Sequence, residues 1–193
     1  DDFLKVATDE AKKKSGDILI KVFHEMVYKN RLLHADPHGG NFLFQRDGTI
    51  GLIDFGCVKR FSVEFIGRYS SVANDLIDHN RKEMVKHAKE MNMLLDDNKE
   101  AEEALWTFGN IIARPFRVDE YTAGTSGDSL MEEVRAFAPE ILKHPTIRSP
   151  RDLIFLHRSL TGIYSMLRRL KYTCNYDLVR REYANNAIRL WRE

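Results

Sequence analysis

A chain of 193 residues, 43% hydrophobic and 31% charged, is long enough to bury a core without metal or disulfide staples and too apolar to stay disordered. Thirty Lys and Arg against 29 Asp and Glu leave a net charge of +1, which excludes the basic footprint of a nucleic-acid-binding protein. Two cysteines without C-x-x-C spacing, Cys57 and Cys174, encode neither a disulfide framework nor a thiolate metal site and point to a reducing compartment.

The chain opens Asp1-Asp2-Phe3, with neither an initiator Met nor a basic and then apolar leader, and is expected to be an excised piece of a longer protein. A short helix is expected around Phe3 to Lys14, stopped by Gly16. Asp17 then reads as the N-cap of an amphipathic helix over 17–30, with Ile18, Leu19, Val22, Phe23, Met26 and Val27 on one face. The period changes next. Leu32 to His34, Asn41 to Gln45 and Thr49 to Ile53 are short apolar runs, the last two joined by Arg46-Asp47-Gly48 as a hairpin, and they form the one β region expected.

From a capping Ser62 onward the spacing is helical again: Phe65, Tyr69, Val72 and Leu76, then Met84, Val85, Ala88 and Met91, then Leu105, Phe108 and Ile112 up to Arg114-Pro115. Arg117 to Ser129 carries Gly, Thr and Ser without periodicity and is expected to be a mobile loop. Ser149 reads as the cap of a long helix with Pro150 at its first position, running to about Leu170. A final helix is expected from Asp177 to about Trp191. No window approaches 18 consecutive apolar residues, so no bilayer-spanning helix is expected. The fold class is therefore mainly α with a small β-hairpin region.

The stretch that carries chemistry is His34-Ala35-Asp36-Pro37-His38-Gly39-Gly40-Asn41, followed after the hairpin by Asp54-Phe55-Gly56. These are H-x-D-x-x-x-x-N and D-F-G, whose joint occurrence by chance is on the order of 1 in 20,000 chains of this length. The spacing suits phosphoryl transfer: an Asp to orient a nucleophile or accept its proton, an Asn five residues on as a neutral metal ligand, and a second Asp returned by the hairpin as the principal Mg²⁺ ligand. Two carboxylates brought together repel, and a divalent ion relieves that.

The signature resembles the catalytic and metal loops of the protein-kinase-like fold, and the wording HADPHGGN followed by LIDFG is similar to the UbiB/AarF (ADCK-type) family of atypical kinases, linked to coenzyme Q (ubiquinone) biosynthesis. The resemblance implies Asp36 as the catalytic Asp, Asn41 and Asp54 as ligands of Mg (or Mn) with ATP as substrate, and His34, His38, Gly40, Phe55 and Gly56 as loop-shaping neighbours. Members of the family usually show Pro where this chain has Gly39. Leu156-His157-Arg158 with Gly162-Ile163-Tyr164 also resembles the family's helical C-terminal region. Residues 1–193 are thus expected to form one kinase-like large lobe, with a catalytic loop at 34–41, a metal loop at 54–56 and a helical region from about 62 to 193.

No G-x-G-x-x-G, Ala-rich counterpart or V-A-x-K occurs, so the small N-terminal lobe is expected to lie outside the chain and the isolated piece to show negligible turnover. Only Cys57 to Phe61 separate Gly56 from Ser62, too few for the activation segment that holds a protein substrate. The acceptor is expected to be a small or lipid-like molecule, or water, as in phosphotransferases of the aminoglycoside-kinase type. The alternatives are a pseudokinase scaffold that senses nucleotide, and a metal-dependent hydrolase in which His34, Asp36 and His38 hold Zn²⁺, which Pro37 and two glycines disfavour. His34 and His38 read as buried rings that fix the loop, and Cys57 as a small buried side chain. The stripe of Met84, Met91 and Met93 reads as core. Arg168, Arg169, Lys171, Arg180, Arg181, Arg189 and Arg192 read as a solvated face that could also meet anionic lipid. The expected location is cytoplasmic or peripheral on a membrane facing a reducing compartment.

Overall fold

The computed structural model describes residues 2–193. After the short helix α1 (Asp2–Val6), α2 (Asp9–His24) begins at Thr8, whose hydroxyl caps Ala11 N–H. It continues into one wider turn over Glu25–Lys29, where Asn30 N–H reaches back five residues to Glu25 O at 2.8 Å. The expected helix break at Gly16-Asp17 is therefore wrong. Gly16 lies buried inside α2, where a Cβ would stand 2.0 Å from the Tyr172 ring, and Asp17 accepts the Tyr172 hydroxyl at 2.5 Å. The glycine makes room for a ring instead of ending a helix.

Four short strands follow: β1 (Leu32–His34), β2 (Phe42–Phe44), β3 (Ile50–Leu52) and β4 (Val58–Arg60). β2 and β3 form the expected hairpin, with Phe42 opposite Leu52 and Gly48 at φ 81° in the turn. Ser15 and Lys14 of α2 anchor that turn through Gly48 O and Asp47 O. β1 pairs antiparallel with β4, His34 opposite Val58. A further pair, β5 (Tyr121–Thr122) with β6 (Thr173–Cys174), corrects the expectation of a single β region.

The remainder is helical: α3 (Val63–Ile77), α4 (Arg81–Glu90), α5 (Lys99–Ala113), α6 (Leu130–Leu142), α7 (Arg151–Leu170) and α8 (Tyr176–Arg192). Ser62 caps α3 as expected, whereas at α7 the cap position is Pro150 and Ser149 lies outside the helix. α6 has no counterpart among the helices expected from sequence. The segment 117–129 is ordered, not a loose loop: Asp128 is buried and accepts the Tyr121 and Tyr164 hydroxyls and the Gly124 N–H. One core joins α2, α7 and α8 through residues such as Leu19, Val27, Leu156 and Leu167, and a second, with Met84 and Met91, fills the space between α3, α4 and α5. Lys59 of β4 pairs with Asp152 of α7 at 2.7 Å, fastening the strands to the helical layer.

Candidate active site

The loop over 34–41 and the bend at 54–56 come together because β1 and β4 flank both. The β1–β4 ladder extends by one bond, Ala35 N–H to Cys57 O at 2.9 Å, and the hairpin ladder by another, Ile53 N–H to Asn41 O at 3.1 Å. Asn41 and the residue before Asp54 are thereby cross-strand neighbours. His34 locks the two segments. Its Nδ1 accepts the Asp36 N–H at 3.3 Å, which leaves Nε2 to donate to Asp54 O at 2.5 Å. The ring is 4% exposed, in keeping with a scaffold role.

His38 departs from the expected buried ring. It is exposed, yet it still shapes the loop, since its Nδ1 accepts the Gly40 N–H at 3.0 Å and caps the tight turn Gly39–Asn41. Cys57 is also exposed, not a buried small side chain. Phe55 is 66% exposed, touching the His34 ring edge-on at 6.5 Å. With Ile53 and Val58 it forms an apolar rim around the exposed Asp54.

The oxygens are left facing outward by the hydrogen bonds behind them. Asn41 Nδ2 donates to Asp36 O at 3.0 Å, so the amide turns Oδ1 away from the loop, and no described N–H or O–H is bonded to it. Gly56 N–H occupies Asp54 Oδ1 at 2.7 Å, leaving Oδ2 unengaged. Asp36 Oδ1 accepts Arg158 Nη2 at 2.7 Å, an ion pair with both side chains about half exposed and so of small net energy. A hard oxygen set of carboxylate and amide suits Mg²⁺ or Mn²⁺, not zinc. Among the described residues no cluster of three His, Cys, Asp or Glu could hold a metal, and both histidines of the alternative zinc triplet spend Nδ1 on backbone N–H groups.

Helix α7 underlies the loop, and this the sequence reading did not assign. Ser159 donates to His34 O at 3.0 Å, Arg158 meets Asp36, and Gly162 lies against Pro37, where a Cβ would stand 2.4 Å from Pro37 Cγ and 2.6 Å from Pro37 O. The only signal in the sequence was the likeness of Leu156-His157-Arg158 and Gly162-Ile163-Tyr164 to a family pattern. The basic residues of the last helices are largely engaged: Arg168 faces Asp128 and Glu132, Arg180 pairs with Asp177, and Arg181 pairs with Asp177 and Asp78.

Residues 2–88, which include both loops, match the model of the ABC1 atypical kinase-like domain. That part of the chain is similar to the ABC1, or UbiB/AarF, family of atypical kinases. The chain is 21% identical over 181 residues to the mitochondrial atypical kinase coq-8 of Caenorhabditis elegans, covering 89% of this chain and 24% of that protein. It is 22% identical over 170 residues to the mitochondrial atypical kinase COQ8 of Saccharomyces cerevisiae, covering 86% of this chain and 34% of that one. The chain thus spans a quarter to a third of these relatives. A Mycobacterium tuberculosis protein solved in complex with erythromycin superposes with a TM-score of 0.68 at 15% identity, over 94% of this chain and 46% of that one. The fold is that of a kinase-like large lobe, mainly α with small antiparallel strand pairs.

Proposed function

We propose that this chain is the large lobe of an atypical kinase or ATPase of the UbiB/AarF type that binds ATP with Mg²⁺ or Mn²⁺. The observation that supports it most is the His34 clamp on Asp54 O, which holds the H-x-D loop and the D-F-G bend in one rim. In this reading Asp54 Oδ2 and Asn41 Oδ1 would hold the metal, which would supply charge neutralisation to the phosphates. Asp36 orients the nucleophile and takes its proton. Arg158, hydrogen-bonded to Asp36, positions that carboxylate. His34, His38, Gly40, Phe55 and Gly56 shape the loops.

The passage from Gly56 to Ser62 supports a small or lipid-like acceptor, or water: it consists of β4 and its flanks, paired against β1 and leaving no length for a protein-substrate platform. The mitochondrial COQ8 relatives support a link to ubiquinone biosynthesis; the location we propose is a reducing compartment, cytoplasmic or peripheral on a membrane facing it. No helix among the described residues is long and apolar enough to cross a membrane.

ATP turnover by the parent protein tests the reading. Asp54→Asn is expected to lower the rate by more than about a hundredfold, as removal of a metal ligand does. For residues 1–193 alone, calorimetry is expected to show weak Mg²⁺ affinity that Asp54→Ala abolishes. Equal metal binding by native chain and variant would overturn the assignment of Asp54. Robust trans-phosphorylation of a protein by the parent would overturn the assignment of the acceptor.

A further inference from the structure

Helix α7 has a second functional face. Opposite the residues that hold the catalytic loop, it turns His157, Leu160 and Tyr164 toward a cavity of about 270 Å³ walled otherwise by α2, α3, α5, α6 and α8. The lining is mostly apolar and aromatic, with the imidazoles of His24 and His157, Thr161 and several tyrosine hydroxyls among it, and α8 adds Tyr176 and Arg180. Tyr176 and Arg180 stand one helical turn apart, on the same face, and are 6% and 4% exposed. The Tyr176 hydroxyl and the Arg180 Nε and Nη1 have no hydrogen-bond partner among the described residues. Leaving such groups buried and unpaired is costly, and well-packed interiors rarely retain them.

Charge decides what would satisfy them. Arg180 Nη2 already binds Asp177 Oδ1 at 2.7 Å and Asn74 Oδ1 at 2.8 Å, and the neighbouring Arg181 pairs with Asp177 and Asp78. Two guanidinium groups therefore face two carboxylates. His24 and His157, also in the wall, are pushed down by burial to about 4 and are neutral at physiological pH. The unpaired Arg180 Nε and Nη1 are donors that no acceptor of the wall reaches, and with the guanidinium charge already matched by Asp177 they call for a neutral acceptor, not a further negative charge.

We propose that this cavity binds an uncharged apolar molecule, about two fused rings in size, through a single carbonyl oxygen that accepts from Arg180 and Tyr176. The site is separate from the nucleotide site proposed above and stands whether or not that reading holds. The exposed Thr161 of α7 is part of its lining, with Met131 and Val134 of α6 forming one wall.

Three probes with one two-ring body separate the possibilities, each titrated into residues 1–193 by calorimetry and thermal shift: 2-acetonaphthone, 2-ethylnaphthalene and 2-naphthoate. The ketone is expected to bind about five- to tenfold more tightly than the hydrocarbon, as one or two added hydrogen bonds would give, and more tightly than the carboxylate. Tyr176→Phe, which removes only an unpaired hydroxyl and should leave folding intact, is expected to weaken the ketone about fivefold and leave the hydrocarbon unchanged. Val134→Phe, which fills the cavity from the other wall, is expected to abolish binding of all three. Equal affinity for ketone and hydrocarbon, a preference for the carboxylate, or a cavity that holds water only and takes up none of the probes would overturn the proposal.

Discussion

At the scale of single residues, the candidate site is made by side chains that spend one atom on the backbone and leave another facing outward. Asn41 gives its amide N–H to Asp36 O, and Asp54 gives one oxygen to Gly56 N–H. Gly39 stands where the family usually has Pro, in a backbone already suited to proline. The preceding His38 has φ −76° and ψ 134°, the backbone a residue before Pro requires. Gly39 opens the tight turn, where its N–H has no carbonyl to meet, and a Cβ there would touch nothing within 4 Å. Gly39→Pro is therefore expected to stabilise the chain by about 0.4–1 kcal/mol through the unfolded state. That is a rise of about 1–4 °C in melting temperature for a chain of this length, with Mg²⁺ affinity unchanged in calorimetry. A fall in melting temperature would mean that the turn needs a backbone conformation proline cannot adopt.

At the scale of elements, the short-range part of the site was legible and the long-range part was not. H-x-D-x-x-x-x-N and D-F-G could be read directly, because each loop is contiguous and the hairpin between them carries its own turn chemistry in Asp47 and Gly48. Helix periodicity located α3, α4, α5, α7 and α8 for the same reason. What could not be read were contacts across the fold. Gly16 looked like a stop because the ring that needs its missing Cβ is Tyr172, far along the chain. Asp128 looked like part of a loose loop because its partners Tyr164 and Arg168 lie a helix away. The support of the catalytic loop by α7 spans 122 residues between Asp36 and Arg158. Gly162→Ala tests that support. A methyl there meets Pro37 backbone as well as its ring, and the overpacking cost of about 1–3 kcal/mol exceeds the gain of about 1 kcal/mol from replacing a helical glycine. A melting temperature lower by up to about 8 °C and weaker Mg²⁺ binding by residues 1–193 are expected together. A more stable variant with unaltered metal affinity would show that α7 does not hold the loop.

At the scale of the whole molecule, the price of an aromatic interior is a dependence on pH. His24, 5% exposed, sits where α2 meets α8, stacked on Tyr28 at 5.7 Å and flanked by Phe23 and Tyr183, with Nδ1 donating to Ile20 O. Burial pushes it down to about 4, against the raising effect of the Ile20 bond, and the charge of Arg180 lowers it further. A histidine held below its ordinary value of about 6.5 takes up its proton more readily in the unfolded chain. Its contribution to stability is whole above about pH 6.5 and drains away as the pH falls toward 4. Between pH 7.5 and pH 5 that amounts to about 2 kcal/mol. Asp75, raised chiefly by its own burial, and Asp128, on which the hydrogen bonds from Tyr121, Gly124, Tyr164 and Leu130 outweigh burial and keep the carboxyl low, add other slopes over acid pH, so the difference from a variant is the informative quantity. His24→Phe keeps the stack on Tyr28 and removes the titration. Urea unfolding at the two pH values is expected to show the native chain losing about 2 kcal/mol more than His24→Phe on acidification; parallel losses in the two proteins would mean that the ring is hydrated or already paired in the unfolded state.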